Sequence, residues 1–221
     1  MVRTGLVTRL RVGRGDAAAT PWPVLSDVAI TMVLVLVVSL VLQFLVTFKD
    51  RFINEQLVRR QQEVRALLYE RVDDTTMFAV DPLAPDRQKL TFQAELLFPE
   101  CGSILTPQGD SLLEKVGQVL DSLSGYFTAV QIDGHTDVIP IGFCPYESNW
   151  ELSSRRATSV VHLFERLEVI PSEKLSATGW GEFHPINTDR LDLNRRIELQ
   201  LLYSRGDIEL QVNGGAGASR P

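Results

Sequence analysis

From Val28 to Phe48 the sequence reads VAITMVLVLVVSLVLQFLVTF, and only Thr31, Ser39, Gln43 and Thr47 in it are polar. None of these carries a charge. A run of about 20 apolar residues, rising 1.5 Å per residue as a helix, spans a hydrocarbon core about 30 Å thick. The apolar core of a signal peptide is shorter, about 7–15 residues, and ends in small residues at a cleavage site. Here the run ends in Thr47-Phe48-Lys49-Asp50-Arg51, which offers none. The run therefore predicts an uncleaved transmembrane helix over residues 20–48, with Thr20 as N-cap, Pro21 in the first turn and Trp22 as an interfacial aromatic. One carboxylate, Asp27, stands at its head.

The arm before it, residues 1–19, carries Arg3, Arg9, Arg11 and Arg14 against Asp16, while the far flank carries Lys49, Arg51, Arg59, Arg60 and Arg65 among acids. This is a weak positive-inside bias, and a short basic arm in the cytoplasm with the larger part exported is the expected arrangement. The expected topology is a single crossing with the C-terminal domain exported. The net charge of −6 then belongs to the exported part and argues against a nucleic-acid partner. An exported location permits a disulfide between Cys101 and Cys144, but the sequence alone does not pair them, and two free thiols are the favoured expectation.

Beyond the span, residues 49–87 read as a helical neck and linker. KDRFINEQLVRRQQEVRALLYERV lacks Gly and Pro, and Ile53, Leu57, Val64, Leu67 or Leu68, and Val72 recur at helical spacing, interrupted at Arg60. A two-stranded coiled coil fits this stripe, although it covers few heptads. The acids and two prolines of DDTTMFAVDPLAPDRQ mark a linker. Residues 88–204 then alternate between strand and helix patterns: QKLTFQAELLF, a helix capped by Thr106 and Pro107, YFTAVQID, a helix from Asn149, EKLSATGWG and RRIELQLLY. The order β-α-β-α-β-β predicts an α+β sandwich with helices on one face of a sheet. The tail, 205–221, has a disordered composition.

Polar signals concentrate around IDGHTD (Ile132–Asp137), NWELSSRRA (Asn149–Ala157) and NRRIE (Asn194–Glu198). Gly134 allows a sharp turn after a strand. Asp137 on the following loop and Arg156 about two turns into a helix could hold opposite charges of one ligand, an ammonium on the acid and a carboxylate on the guanidinium fork. A structural salt bridge between them is the plainer alternative. His135 between Asp133 and Asp137 lacks the partners of a metal site, so no metal is expected. No nucleophile–base or phosphate-loop pattern is present, so the chain is not expected to be an enzyme. Glu147 and Glu151 fit loop and first-turn acids better than a carboxylate pair for sugar chemistry.

GHTD, N-x-x-LS-x-x-RA, the turn GWGEFHP and NRRIE, in that order, resemble the OmpA-like peptidoglycan-binding domain over residues 88–204. The resemblance implies that Asp137 and Arg156 bind diaminopimelate of the peptide stem. Thr136, Asn149, Leu152 and Arg196 match further motif positions and are implied to shape the pocket. Asn194 and Arg195 are expected to tie down the strand start.

A membrane anchor alone needs no Asp27, since an ionised Asp within a span costs about 2.5–3.5 kcal/mol on insertion scales. A carboxyl there that changes protonation state can take up an ion on one side and release it on the other. With the short arm, the aromatic, the early Asp, the neck and the wall-binding domain in order, the whole chain resembles a MotB-type stator B subunit. That resemblance implies a homodimer of this chain inside a pentamer of a multi-span A subunit, with Asp27 carrying H⁺ or Na⁺ and no other cofactor. The Val- and Leu-rich span and a neck of only about 40 residues, Lys49 to Gln88, are more similar to the B subunit of Zorya anti-phage defence systems than to a flagellar stator. A passive tether between membrane and wall is the structural alternative.

Overall fold

The computed structural model describes residues 22–72, 76–142, 144–206 and 208, with side chains from Ser26 onward. The arm, Thr20, Pro21 and the Trp22 side chain, and most of the tail, lie outside the described residues. The chain divides into two compact units at Phe48/Lys49.

The first unit is the leading part of helix α1, Trp22–Arg71. It is long and apolar enough to cross a membrane. Its large apolar side chains from Val28 to Phe48 are 48–66% exposed, as a surface meant for lipid or a partner must be. Thr31 Oγ1 donates to the Val28 carbonyl and Thr47 Oγ1 to the Gln43 carbonyl, both at 2.8 Å. These hydroxyls are thus satisfied by their own helix and need no partner in lipid. Asp27 is exposed and lies beyond the first turn.

The second unit is built on a mixed five-stranded sheet. Its strands are β1 (Phe78–Ala84), β2 (Arg87–Gln93), β3 (Ala129–His135), β4 (Leu175–Gly179) and β5 (Arg196–Leu202), in the order β1-β2-β5-β3-β4. Only β3 and β4 are parallel, joined across helix α4 (Asn149–Arg166); the other pairs are antiparallel. Leu90 and Phe92 of β2, Val130 and Ile132 of β3, and Ile197, Leu199 and Leu201 of β5 alternate onto one face and join a single core. Helix α3 (Pro107–Ser122) adds Leu112, Leu113, Val116, Val119 and Leu120 to it, and α4 adds Ala157, Val160, Leu163 and Phe164. Thr106 caps α3 as expected, its hydroxyl accepting from Gly109 N at 3.0 Å, with Pro107 at the helix start.

Three segments differ from the sequence reading. The stretch taken as linker contains β1, whose Phe78 and Val80 enter the core opposite Phe92 and Leu90. Pro82 is tolerated because β1 is an edge strand, with a register shift between Pro82 and Ala84, and Pro85 lies in the turn to β2. QKLTFQAELLF is strand only as far as Gln93 and then turns through a short helix, α2 (Ala94–Leu97). The start of the tail is also ordered: Ile208 is in the core, and Arg205 Nη2 donates to Asn54 Oδ1 at 2.6 Å.

The neck is part of this domain. Ile53, Leu57, Val64, Leu68 and Val72 are buried in the shared core, each worth about 1.5–3 kcal/mol of transfer free energy. The stripe that could have paired two copies as a coiled coil is occupied by the chain's own sheet. Gln61 fills its gap. The Gln61 amide is shared among the carbonyls of Ala84 (2.7 Å), Pro85 (3.0 Å) and Arg87 (3.1 Å) at the β1–β2 turn. Gln88 Nε2 returns a bond to the Gln61 carbonyl, and Tyr203 Oη donates to Gln88 Oε1.

Candidate functional site

The site begins with two glycines. A Cβ on Gly134 of β3 would lie 2.1 Å from the Ser153 carbonyl oxygen, and one on Gly179 of β4 would lie 2.6 Å from the Ser154 backbone nitrogen. The missing side chains let α4 settle directly onto the ends of the parallel pair. Ser153 Oγ then accepts from Gly181 N at 3.0 Å. Gly134→Ala is expected to destabilise the domain by about 2–4 kcal/mol, since backbone rather than a flexible side chain must move. Chemical denaturation of the full chain in detergent measures this directly.

The first turns of α4 form one wall of a cleft of about 860 Å³. Ser148 caps the helix, its hydroxyl accepting from Glu151 N, and Glu151 Oε2 accepts from Glu147 N. Both acids thus serve the helix start. Asn149, Leu152 and Arg156 line the cleft from α4, and Thr136 and Asp137 line it from the end of β3. All five are buried. Asn149 Nδ2 holds the loop by donating to the carbonyls of Asp137 and Ile139, both at 3.3 Å. The Thr136 hydroxyl and Asn149 Oδ1 are buried without a hydrogen-bond partner among the described residues.

The opposite wall is the segment following α2. A disulfide joins Cys101 to Cys144, Cα atoms 5.1 Å apart, and so ties the two loops that flank the cleft. Cys101 has a left-handed backbone (φ 55°), which a residue with a Cβ adopts only when its surroundings hold it there. Tyr146 Oη donates to Ser103 Oγ at 2.8 Å, and Arg156 Nε to the Gly102 carbonyl at 2.8 Å. The Arg156 guanidinium also lies 5.4 Å from the centre of the Phe98 ring. Burial lowers the Arg156 pKa from the usual guanidinium value and the Arg195 charge acts the same way, while Tyr146, Asp137 and Glu95 pull upward. Only Nε of Arg156 has a protein acceptor among the described residues, which leaves its terminal nitrogens for a ligand.

Asp137 pairs with Arg195, not with Arg156. Arg195 Nη1 donates to Asp137 Oδ2 at 2.6 Å, and Asp137 Oδ1 accepts from Ile139 N at 3.1 Å. Arg195 also reaches Glu95 of α2 through Nε and Nη2. The Glu95 hydrogen bond raises the Arg195 pKa against a smaller cost of burial, with a lesser upward pull from Asp137. The expected roles of the two adjacent arginines are thus exchanged. Arg195, read as tying down the strand start, lines the cleft. Arg196, read as shaping the pocket, points to the other side of β5, bonded to Glu198 Oε1 at 2.6 Å and to the carbonyls of His184 and Asn194. Asn194 does tie the chain, its Oδ1 accepting from Ile186 N and Asn187 N.

His135 belongs to the Arg196 side. It is buried, with neither ring nitrogen hydrogen-bonded, and Nε2 is 4.0 Å from Glu198 Oε2. Burial and then the Arg196 charge lower its pKa to about 4, against the pull of Glu198, with His184 and Lys89 adding to the lowering. Below pH 6.5 an unfolded chain takes up a proton that the folded one refuses. Stability from this group is therefore complete above pH 6.5 and is lost as pH falls toward 4, by about 3 kcal/mol. Urea midpoints between pH 7 and pH 4 are expected to fall less steeply in His135→Gln than in the native chain. Among the described residues no cluster of His, Cys, Asp and Glu could hold a metal ion.

Residues 97–198 match the OmpA family. Motility protein B of Bacillus subtilis is 35% identical over 82 residues, 35% of this chain and 31% of that protein. The chain spans about half or less of the length of the curated relatives it matches. Among solved structures, a MotB-like protein from Desulfovibrio vulgaris superposes with TM-score 0.62 at 23% identity, over 70% of this chain and 98% of the other. The cell wall anchor of the T6SS from Pseudomonas aeruginosa superposes with TM-score 0.56 at 25% identity, over 64% and 97%. The second unit thus has an OmpA-like fold with MotB-like structural neighbours.

Proposed function

We propose, from an OmpA-like domain carried behind a helix able to cross a membrane, that this chain is the wall-gripping B subunit of an ion-driven inner-membrane motor. The observation that carries the wall-gripping half is the convergence of Asp137, Arg156, Thr136, Asn149 and Leu152 on one cleft. The free end of diaminopimelate bears an ammonium and a carboxylate on one carbon. The carboxylate meets the unengaged terminal nitrogens of Arg156. The ammonium meets Asp137, either beside Arg195 or in its place, since Arg195 retains Glu95. The Thr136 hydroxyl and Asn149 Oδ1, buried without partners among the described residues, are polar groups that a ligand can satisfy.

The motor half rests on Asp27, an ionisable side chain at the head of an otherwise uncharged span. Two copies of the chain, N-termini in the cytoplasm, would sit within a pentamer of a multi-span A subunit and pass H⁺ or Na⁺ at Asp27. A neck folded onto the domain supports a short, permanently anchored form of motor, and on that ground we read the task as anti-phage defence of the Zorya type rather than flagellar rotation. Likeness to the cell wall anchor of a secretion system favours a second reading, a tether that carries no ions.

Competition tests the wall-gripping half. Free diaminopimelate is expected to release the full-length, detergent-solubilised chain from sacculi of the diaminopimelate type, whereas Nα-acetyl-lysine amide, which keeps a side-chain ammonium but has no free carboxylate beside it, does so poorly. Equal release by both compounds, or by neither, would remove the pocket assignment.

A further inference from the structure

Trp150 and Phe183 form a stacked pair on the surface, ring centres 5.3 Å apart and planes 29° apart, with Trp150 48% and Phe183 58% exposed. Single exposed apolar residues need no explanation, but an ordered aromatic pair held open to solvent does. Both rings rest on Gly181, whose left-handed backbone (φ 56°) suits glycine. Its Cβ position lies 3.5 Å from Phe183 and 3.6 Å from Trp150. Trp180 and His184 extend the cluster, their rings edge to face at 4.5 Å.

The pair adjoins the cleft without lining it. Thr136, which lines the cleft, donates its backbone N–H to the Gly181 carbonyl at 2.9 Å. Asn149, which also lines it, directly precedes Trp150. A ligand reaching out of the cleft past Thr136 or Asn149 meets these rings. If the cleft takes a peptide stem, the stem's covalent attachment to glycan decides what arrives there. Two or three extended residues, at about 3.5 Å each, carry the sugar about 10 Å from the cleft. A pyranose presents a face of polarised C–H bonds, which suits the electron-rich face of an aromatic ring.

We infer that Trp150 and Phe183 are a sugar-stacking subsite that takes the glycan of the same cell-wall strand whose peptide fills the cleft. This rests on the wall-gripping reading above. The cleft confers recognition of the stem, and the ring pair adds affinity for stems still joined to their sugar.

The test titrates two probes into the full-length chain in detergent: a free diaminopimelate-containing stem peptide, and the same stem attached to its disaccharide. The native chain is expected to bind the disaccharide-linked stem about tenfold more tightly than the free one. In Trp150→Ala/Phe183→Ala the two affinities converge, with free-stem binding unchanged, while Phe183→Tyr, which keeps the ring, retains the difference. A difference that survives the double substitution overturns the inference and leaves the pair to a protein partner. Equal loss of both probes also overturns it, since the rings then merely support the cleft. If the native chain binds the free stem but gains nothing from the sugar, only the subsite fails. If it binds neither probe, the wall-gripping reading fails and the subsite with it.

Discussion

Asp27→Asn is expected to abolish the chain's activity in cells while leaving its abundance and its retention on sacculi unchanged. Asparagine has the same shape and remains polar, so the helix and its packing are preserved. It cannot release a proton or offer a full negative charge to a cation. Insertion becomes easier, because the cost of about 2.5–3.5 kcal/mol for an ionised Asp in a span disappears. A loss of function therefore reports ion handling rather than failed assembly. Thr31 and Thr47 are expected to tolerate Ala, since their hydroxyls bond within the helix. The readout is activity in cells co-expressing a multi-span subunit of the proposed kind, with immunoblotting of membranes as the control. Full activity in Asp27→Asn would leave the tether as the better reading.

Arg156→Ala is expected to weaken sacculus binding by about 100-fold, or about 3 kcal/mol, the range for removing one partner of a desolvated charge pair. Some of the loss would come through the opposite wall, because Arg156 also bonds the Gly102 carbonyl and covers Phe98. Arg156→Lys separates the two effects. It keeps the positive charge but loses the planar fork, so binding is expected to remain poor even though the charge is retained. Arg155→Ala is the matched control one residue away. Arg155 is exposed, outside the cleft lining, and paired with Glu151 and the nearby Tyr146 ring, so sedimentation with sacculi is expected to be unchanged. Native-like binding by Arg156→Ala would dissociate this cleft from the wall.

Strands β2 to β5 and the two long helices of the domain are legible because their apolar periods are strong, whereas β1 is masked by its Asp81 and Pro82. Leu112, Leu113, Val116, Val119, Leu120 and Leu123, which recur at helical spacing through α3 and its C-cap, are all buried. The neck stripe is legible as well, but not its destination, since a helical stripe looks the same whether it faces a second copy or the chain's own sheet. Gln61 shows why. A buried glutamine reads as a break in the pattern, and only the carbonyls of a distant hairpin turn make it a member. The exchange of Arg195 and Arg196 was open to a parity argument: Arg195 shares the side of Ile197, Leu199 and Leu201, and Arg196 that of Glu198. Glu95 was hidden because its segment alternates like a strand and then turns into a one-turn helix. The Cys101–Cys144 bond joins residues 43 apart, and nothing local in the sequence decides whether such a pair meets.

The Gln61-centred packing of the neck also bears on symmetry. A two-fold pair needs a self-complementary patch, in which each copy offers the same surface to the other. Residues Ile53, Leu57, Gln61, Val64 and Leu68 cannot serve, since that side of the helix is already inside the fold. Any such patch therefore belongs to surface that the chain leaves open, of which the uncovered apolar side chains between Val28 and Phe48 are the longest stretch among the described residues. The domain's own fold thus restricts where the two-fold axis of a dimer can run.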